Sequence, residues 1–178
     1  MKGAPQHYIL GLGSNLGDRA DVVGRAIECL RNLPEIRILA ISPAVDSDPV
    51  GYSDQPNFLN LCLAITCSLK PDELLAKTLE VERQLGRERS ANRNGPRTLD
   101  IDLLFYEGGD WDSPAVTLPH PRWSSRGFVI IPLRNLLQDP ALAKAPQWTS
   151  LAAEVRSLSV GGQGLRAWQG PTPWSKTP

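Results

Sequence analysis

The ten residues Phe58–Cys67 constrain the fold more than any other stretch of the chain. Leu59, Leu61, Leu63 and Ile65 alternate with Phe58, Asn60, Cys62, Ala64 and Thr66. A period of two puts the first set on one face of a strand and the second set on the other. Leu99–Tyr106 repeats the alternation, with Leu99, Ile101, Leu103 and Phe105 directed to the core and Asp100 and Asp102 to the opposite face. Tyr8–Gly13 and Ile36–Ile41 read as two shorter apolar strands.

Helical patterns separate these strands. Val23, Ile27 and Leu30 share one face after Asp18, and Pro34 ends the pattern. Pro71, Asp72 and Glu73 suit the first turn of a second helix, in which Leu75, Leu79 and Glu82 lie on one side, and Gly86 suits its C-cap. A short strand near Val116–Leu118 and a helix over Arg126–Leu137 follow. The order βαββαβ plus a helix predicts an α+β fold, a ferredoxin-like α/β sandwich with a central, mainly antiparallel sheet. Residues 1–140 are expected to form the main domain and 141–178 a C-terminal extension. That extension is rich in Pro and Gly. It predicts one short helix around Ser150–Leu158 and disorder over its last ~15 residues.

Composition limits the partners. The net charge is zero over 178 residues, whereas general nucleic-acid or anionic-membrane binders are usually basic. Three cysteines, Cys29, Cys62 and Cys67, are too few and odd for a disulfide scaffold, and with only two histidines a Cys/His zinc site is not expected. The apolar run after Lys2 is too short for a signal segment or a membrane span, so the cytoplasm is the expected compartment.

Three features point to chemistry. Asp100 and Asp102 fall at i and i+2 of a strand, about 6.5–7 Å apart on one face. Carboxylates so placed suit Mg²⁺ bound together with substrate phosphates. Aspartate disfavours strands, so two solvated aspartates on an exposed face would be the plain alternative without a reason for their place. Arg83, Arg87, Arg89, Arg93 and Arg97 crowd the preceding stretch, and arginine binds phosphate in forked geometry. A basic, solvated loop is the other reading, and the aspartates decide against it: together the two groups make a site for nucleotide phosphates plus Mg²⁺. Phe58, Asn60 and Phe128 offer a stacking surface and a paired donor and acceptor for a flat heterocycle, although their spacing alone reads first as core. Gly11, Gly13 and Gly17 match neither the dinucleotide-binding fingerprint nor a P-loop, and read mainly as a tight turn. His120, between Pro119 and Pro121, sits on a rigid extended loop. A nucleic-acid-binding module on a ferredoxin-like sheet and a dinucleotide-binding oxidoreductase are the competing classes. The first lacks its aromatic strand signature and a basic charge, the second the spacing of its glycines.

Gly11-Leu12-Gly13-Ser14-Asn15-Leu16-Gly17, Asp54-Gln55-Pro56-Asn57-Phe58-Leu59-Asn60 and Gly95-Pro96-Arg97-Thr98-Leu99-Asp100-Ile101-Asp102, with Leu118-Pro119-His120-Pro121 and Arg126-Gly127-Phe128, resemble the 6-hydroxymethyl-7,8-dihydropterin pyrophosphokinases from about Tyr8 to Leu137. The resemblance implies an enzyme of folate biosynthesis in which the pterin hydroxymethyl oxygen attacks the β-phosphorus of ATP and AMP leaves. It implies that Asp100 and Asp102 hold two Mg²⁺ ions and that Arg87 and Arg97 contact the transferring phosphates. Phe58 and Phe128 would sandwich the pterin, with Asn60 on its edge and backbone help from Ser47 and Val50. Glu82, Arg89, His120 and Arg126 would lie near the nucleotide. The chain departs from better-known members at Asn94 and Pro121, where they carry tryptophan and tyrosine, and at Ser47-Asp48-Pro49, where they carry Thr-Pro-Pro. Ser42–Pro56 reads as a loop without regular structure. That segment and Arg87–Arg97 carry few apolar anchors, and they are expected to be mobile without ligand and to close over substrate.

Overall fold

A computed structural model describes residues 4–51, 53–87, 96–142, 145–161 and 164–175. Strand β1 (Gln6–Ser14) leads to helix α1 (Arg19–Arg31), capped by the Asp18 carboxylate accepting from the Asp21 N–H at 3.0 Å. Strands β2 (Ile36–Ile41), β3 (Val45–Ser47) and β4 (Phe58–Cys67) precede helix α2 (Pro71–Gln84), and strand β5 (Asp100–Tyr106) follows it. Gly86, at φ +85°, ends α2 in the left-handed conformation that favours glycine. A small hairpin of β6 (Trp111–Asp112) and β7 (Thr117–Leu118) comes next, then α3 (Gly127–Leu136), α4 (Thr149–Ser157) and β8 (Arg166–Ala167).

The main sheet runs β5-β1-β4-β3-β8, with β2 also paired to β4, and each described pairing is antiparallel. The alternation in β4 holds. Leu59, Leu61, Leu63, Ile65 and Cys67 face one core with α1 and α2, while Cys62 and Ala64 face a second core with α3 and α4. The βαββαβ arrangement is thus covered on both faces. Arg134 of α3 ties α4 down by donating to the Val155 and Leu158 carbonyls at 3.1 and 2.8 Å, which are among those a helix C-terminus leaves free.

Three details differ from the expectations of the sequence. Phe105 does not share a face with Leu103. The register with β1 shifts so that Ile9 pairs with Phe105 but Leu10 with Leu103, and Leu104 and Phe105 both turn to the second core. An extra residue in one strand reverses the alternation beyond it. Residues 42–56 are not wholly irregular, because β3 pairs with β4 through Val45↔Asn60, Asp46↔Leu59 and Ser47↔Phe58. The tail is also ordered over its described residues. β8 joins β3, and Trp174, 5% exposed, sits in the first core. Deleting a buried tryptophan typically costs about 3–5 kcal/mol. One such anchor outweighs the compositional bias of a short Pro- and Gly-rich segment.

Candidate active site

The sheet face toward α3 opens into a cavity of about 270 Å³. Its floor exists because β1 carries glycines there. A Cβ at Gly11 would lie 3.2 Å from Leu104 Cδ1, and one at Gly13 3.0 Å from Asn60 Oδ1. Both glycines are in the strand rather than in a turn, and only Gly17, at φ +65°, serves the turn that follows. Their role is therefore not the tight turn that their spacing suggests: they clear space beside β4 and β5.

Asp100 and Asp102 both line this cavity, as do Ser47, Val50, Phe58, Asn60, Arg97, Arg126 and Phe128. Residues far apart in the chain converge because β3, β4, β1 and β5 are neighbours in one sheet and α3 begins above them. The Asn60 amide nitrogen donates to Ser47 Oγ at 2.9 Å. That bond orients the amide and leaves its oxygen toward Gly13. The Arg126 guanidinium lies 5.6 Å from the Phe128 ring centre, in cation–π range.

Arginines neutralise the carboxylates in this state. Arg87 and Arg97 donate to the two oxygens of Asp100 at 2.8 and 2.7 Å, and Arg126 reaches Asp102 at 3.3 Å. Desolvation at the cavity floor, and then the neighbouring Asp100 charge, raise the Asp102 carboxyl above its ordinary range in spite of the three arginines. Its side chain is 34% exposed, and that exposure opens on the cavity. Two such carboxylates on one face are a donor set that a hard cation fits, with further oxygens supplied by phosphates. Among the described residues no group of three or more His, Cys, Asp or Glu assembles, so substrate oxygens would complete any such site.

Glu82, Arg87 and His120 are not in the cavity lining. Glu82 is 2% exposed, accepts the Ile101 N–H of edge strand β5 at 2.6 Å, and pairs with Arg87. It anchors the strand and the arginine from behind. Burial pushes its carboxyl up to about 7, outweighing the Ile101 and Arg87 contacts, whereas Arg87, which also has Asp100 as partner, is held in its charged form. His120 accepts the Arg122 N–H at Nδ1 (3.1 Å), which places the ring proton on Nε2. Burial and the nearby Arg126 and Arg122 push it down to about 4, so the imidazole is neutral at pH 7. Arg89 lies outside the described residues, as do Arg93 and Asn94.

Sequence reasoning missed Arg122, Asp48 and Asn15. Arg122 and Asp48 line the cavity. Asn15, 2% exposed, accepts from the Arg97 N–H at 2.8 Å and donates to Gln55 Oε1 and the Pro56 carbonyl at 2.9 and 3.0 Å. Arg122 follows His120 by two positions in a basic turn, a signal that could have been read. Nothing local marks Asn15 as a bracket between two distant loops.

Comparison with known proteins gives consistent relatives. Residues 9–138 match the family model for 7,8-dihydro-6-hydroxymethylpterin-pyrophosphokinase. The 2-amino-4-hydroxy-6-hydroxymethyldihydropteridine pyrophosphokinase of Bacillus subtilis (strain 168) is 35% identical over 160 residues, covering 90% of this chain and 89% of its own length. The protein of that name from Methylorubrum extorquens is 43% identical over 130 residues, or 73% and 82% of the two chains. Among solved structures, wild-type Plasmodium falciparum HPPK-DHPS with pterin and p-hydroxybenzoate superposes with a TM-score of 0.56 at 12% identity, over 86% of this chain and 43% of that one. The chain thus spans less than half of that larger protein, and the likeness is one of fold.

Proposed function

Since the chain belongs to the 7,8-dihydro-6-hydroxymethylpterin-pyrophosphokinase family and so transfers pyrophosphate from ATP to 6-hydroxymethyl-7,8-dihydropterin in folate biosynthesis, we propose that it does so in the cavity between β4, β5 and α3. One observation carries this placement: a carboxylate pair and an aromatic–amide set share a single cavity.

In this reading Phe58 and Phe128 hold the pterin between them. The oriented Asn60 oxygen accepts from an N–H on the heterocycle's edge, and the Ser47 and Val50 backbone completes the wall. Asp100 and Asp102 would hold Mg²⁺, two ions in all, for work on ATP. When bound, the cations draw electron density from the phosphates and offset the charge that builds during transfer. Arg87 and Arg97, held beside the pair by Asp100, would supply positive charge to the phosphates. The pterin hydroxymethyl oxygen bonds to the β-phosphorus and gives up its proton to solvent, the bond from that phosphorus to the α-phosphate bridging oxygen breaks, and AMP leaves. Arg126, Arg89 and the neutral His120 serve the nucleotide side, with Glu82 acting through Arg87. Residues 1–140 would carry this chemistry, with 141–178 as an extension. Among the described residues no helix is long and apolar enough to cross a membrane. The reading assigns small-molecule substrates in the cytoplasm, with neither nucleic acid nor membrane as partner.

The test is direct. With ATP, Mg²⁺ and the reduced hydroxymethylpterin, the protein should form AMP and the pterin diphosphate. In calorimetry, Asn60→Ala and Phe128→Ala should weaken pterin and spare ATP. Loss of ATP binding with pterin binding intact would put the pterin elsewhere.

A further inference from the structure

Residues 164–175 run along the edge of the sheet beside β3 and reach the first core at Trp174. Trp174 is buried against α1, and Pro173 fills the space over Gly24, where a Cβ would lie 2.9 Å from Pro173 Cγ. Upstream, β8 pairs with β3 through Val45↔Ala167 and Asp46↔Arg166, and the Trp168 N–H donates to the Ala44 carbonyl at 3.1 Å. The Trp168 ring stacks under the Arg19 guanidinium at 5.0 Å. Residues 164–175 are therefore a strap fastened at both ends, and the strand beneath it leads directly into the cavity wall.

We propose that this strap is a positioning element of the substrate pocket, acting through Arg166 and Gly164 on Asp48. The inference rests on the pterin placement given above. Arg166 donates to Asp46 Oδ1 at 2.9 Å and to Asp48 Oδ1 at 2.7 Å. Asp48 lines the cavity. The Gly164 backbone lies hard against the same carboxylate: a Cβ there would fall 1.9 Å from Asp48 Oδ2, and φ is +48°. Asp46 also receives Arg19 at 2.9 Å and the Asn57 amide at 2.9 Å, while Arg19 donates to the Asn57 carbonyl at 2.9 Å. Asp46 and Asn57 stand at the two ends of the loop that carries Val50. The strap thus closes a ring of charge around the base of that loop and holds the Asp48 carboxylate at the cavity wall.

The size of these interactions decides where the effect is read. Arg166 and Asp48 have side chains about half exposed, 51% and 53%, and pairs of that kind add little to global stability. The strap's hold on the fold comes from Trp174. Its hold on the pocket comes from Arg166 and Gly164, so Arg166→Ala should alter ligand binding and loop order while leaving the melting temperature near wild type.

The experiment uses the full-length chain. Affinity for 6-hydroxymethyl-7,8-dihydropterin in the presence of a non-hydrolysable ATP analogue with Mg²⁺, and affinity for the analogue alone, are measured by calorimetry. Amide exchange is followed over residues 45–51 and over α2. Arg166→Ala should weaken pterin binding by about three- to tenfold, the scale expected for removing a charge-assisted hydrogen bond at a partly exposed site. Arg166→Lys should restore most of it, and Gly164→Val should weaken it further. In both damaging variants exchange should quicken over residues 45–51 and stay unchanged in α2, with analogue affinity preserved. Wild-type pterin affinity and exchange in both Arg166→Ala and Gly164→Val overturn the proposal. So does a uniform loss of both ligands with a lowered melting temperature in Arg166→Ala, which would mark a purely structural tail. Asn60→Ala is measured alongside. If it weakens pterin while the strap variants do not, the strap inference alone falls. If it too leaves pterin binding unchanged, the pocket assignment falls and the strap inference with it.

Discussion

The Asn15 side chain accepts a hydrogen bond from the Arg97 backbone N–H at 2.8 Å, and the Asn15 N–H donates in turn to the Arg97 carbonyl at 3.3 Å. The same buried amide holds Gln55 and Pro56. One side chain at the end of β1 therefore fixes both the arginine that meets Asp100 and the loop leading to Phe58. Asn15→Ala leaves the Arg97 N–H and the Pro56 carbonyl without this partner. A loss of about 1–3 kcal/mol in stability is expected, read by urea denaturation, together with a fall in kcat larger than the rise in KM for ATP. Wild-type kcat in a folded variant would remove Asn15 from the positioning of Arg97.

Asp100→Ala and Asp102→Ala should each lower turnover by orders of magnitude, because one carboxylate cannot place a cation against a triphosphate as two can. Neither side chain faces the core, so circular dichroism should stay native. Near-normal turnover in both variants would reassign the pair.

Gly13→Ala tests the floor of the cavity. The added methyl would lie 3.0 Å from Asn60 Oδ1, tighter than ordinary van der Waals contact, and it would displace or cover the oxygen proposed to accept from the pterin. Pterin affinity should fall by about 1–3 kcal/mol, the cost of an unmade buried hydrogen bond, with ATP affinity little changed. Equal weakening of both ligands would point to a shift of β1 as a whole.

Glu82 sets a dependence of stability on pH. Its carboxyl moves from an ordinary 4.5 up to about 7 on folding, chiefly through burial. A raised carboxyl keeps its proton in the folded state after the unfolded chain has released it. The contribution is therefore fully present below about 4.5 and is lost as pH rises through about 7. Glu82→Gln keeps an oxygen for the Ile101 N–H and has nothing to titrate. Relative to that variant, the urea midpoint of the native protein should fall between these limits and level off above. A rise across the same window would mean that the Arg87 contact outweighs burial.

The elements that local pattern specifies were legible in the sequence. The alternation of β4, the helical spacing of α1, the Pro71 start and Gly86 end of α2 and the Asp100–Asp102 pair each depend on neighbours a few residues away, and each stands where the chain alone placed it. The paired carboxylates could be read because aspartate is costly in a strand unless something uses it. The three motif segments were sufficient for the family, since each carries its chemistry within a few residues.

Other features depend on contacts between distant residues, which no local pattern encodes. The bulge at Leu104 reverses Phe105 because β1, nearly a hundred residues earlier, sets the register. The purpose of Gly11 and Gly13 emerges only when Leu104 and Asn60 arrive beside them. Asn15 becomes a bracket, and Glu82 a support for β5 and Arg87, only in the folded chain. Composition predicted a disordered tail, yet two tryptophans and a strand edge hold it, because burial of a few large side chains outweighs the average character of a segment. Sequence alone determined the family and the strands and helices that carry the candidate groups. The tertiary structure decided how they are oriented, because orientation comes from pairing and packing across the whole chain.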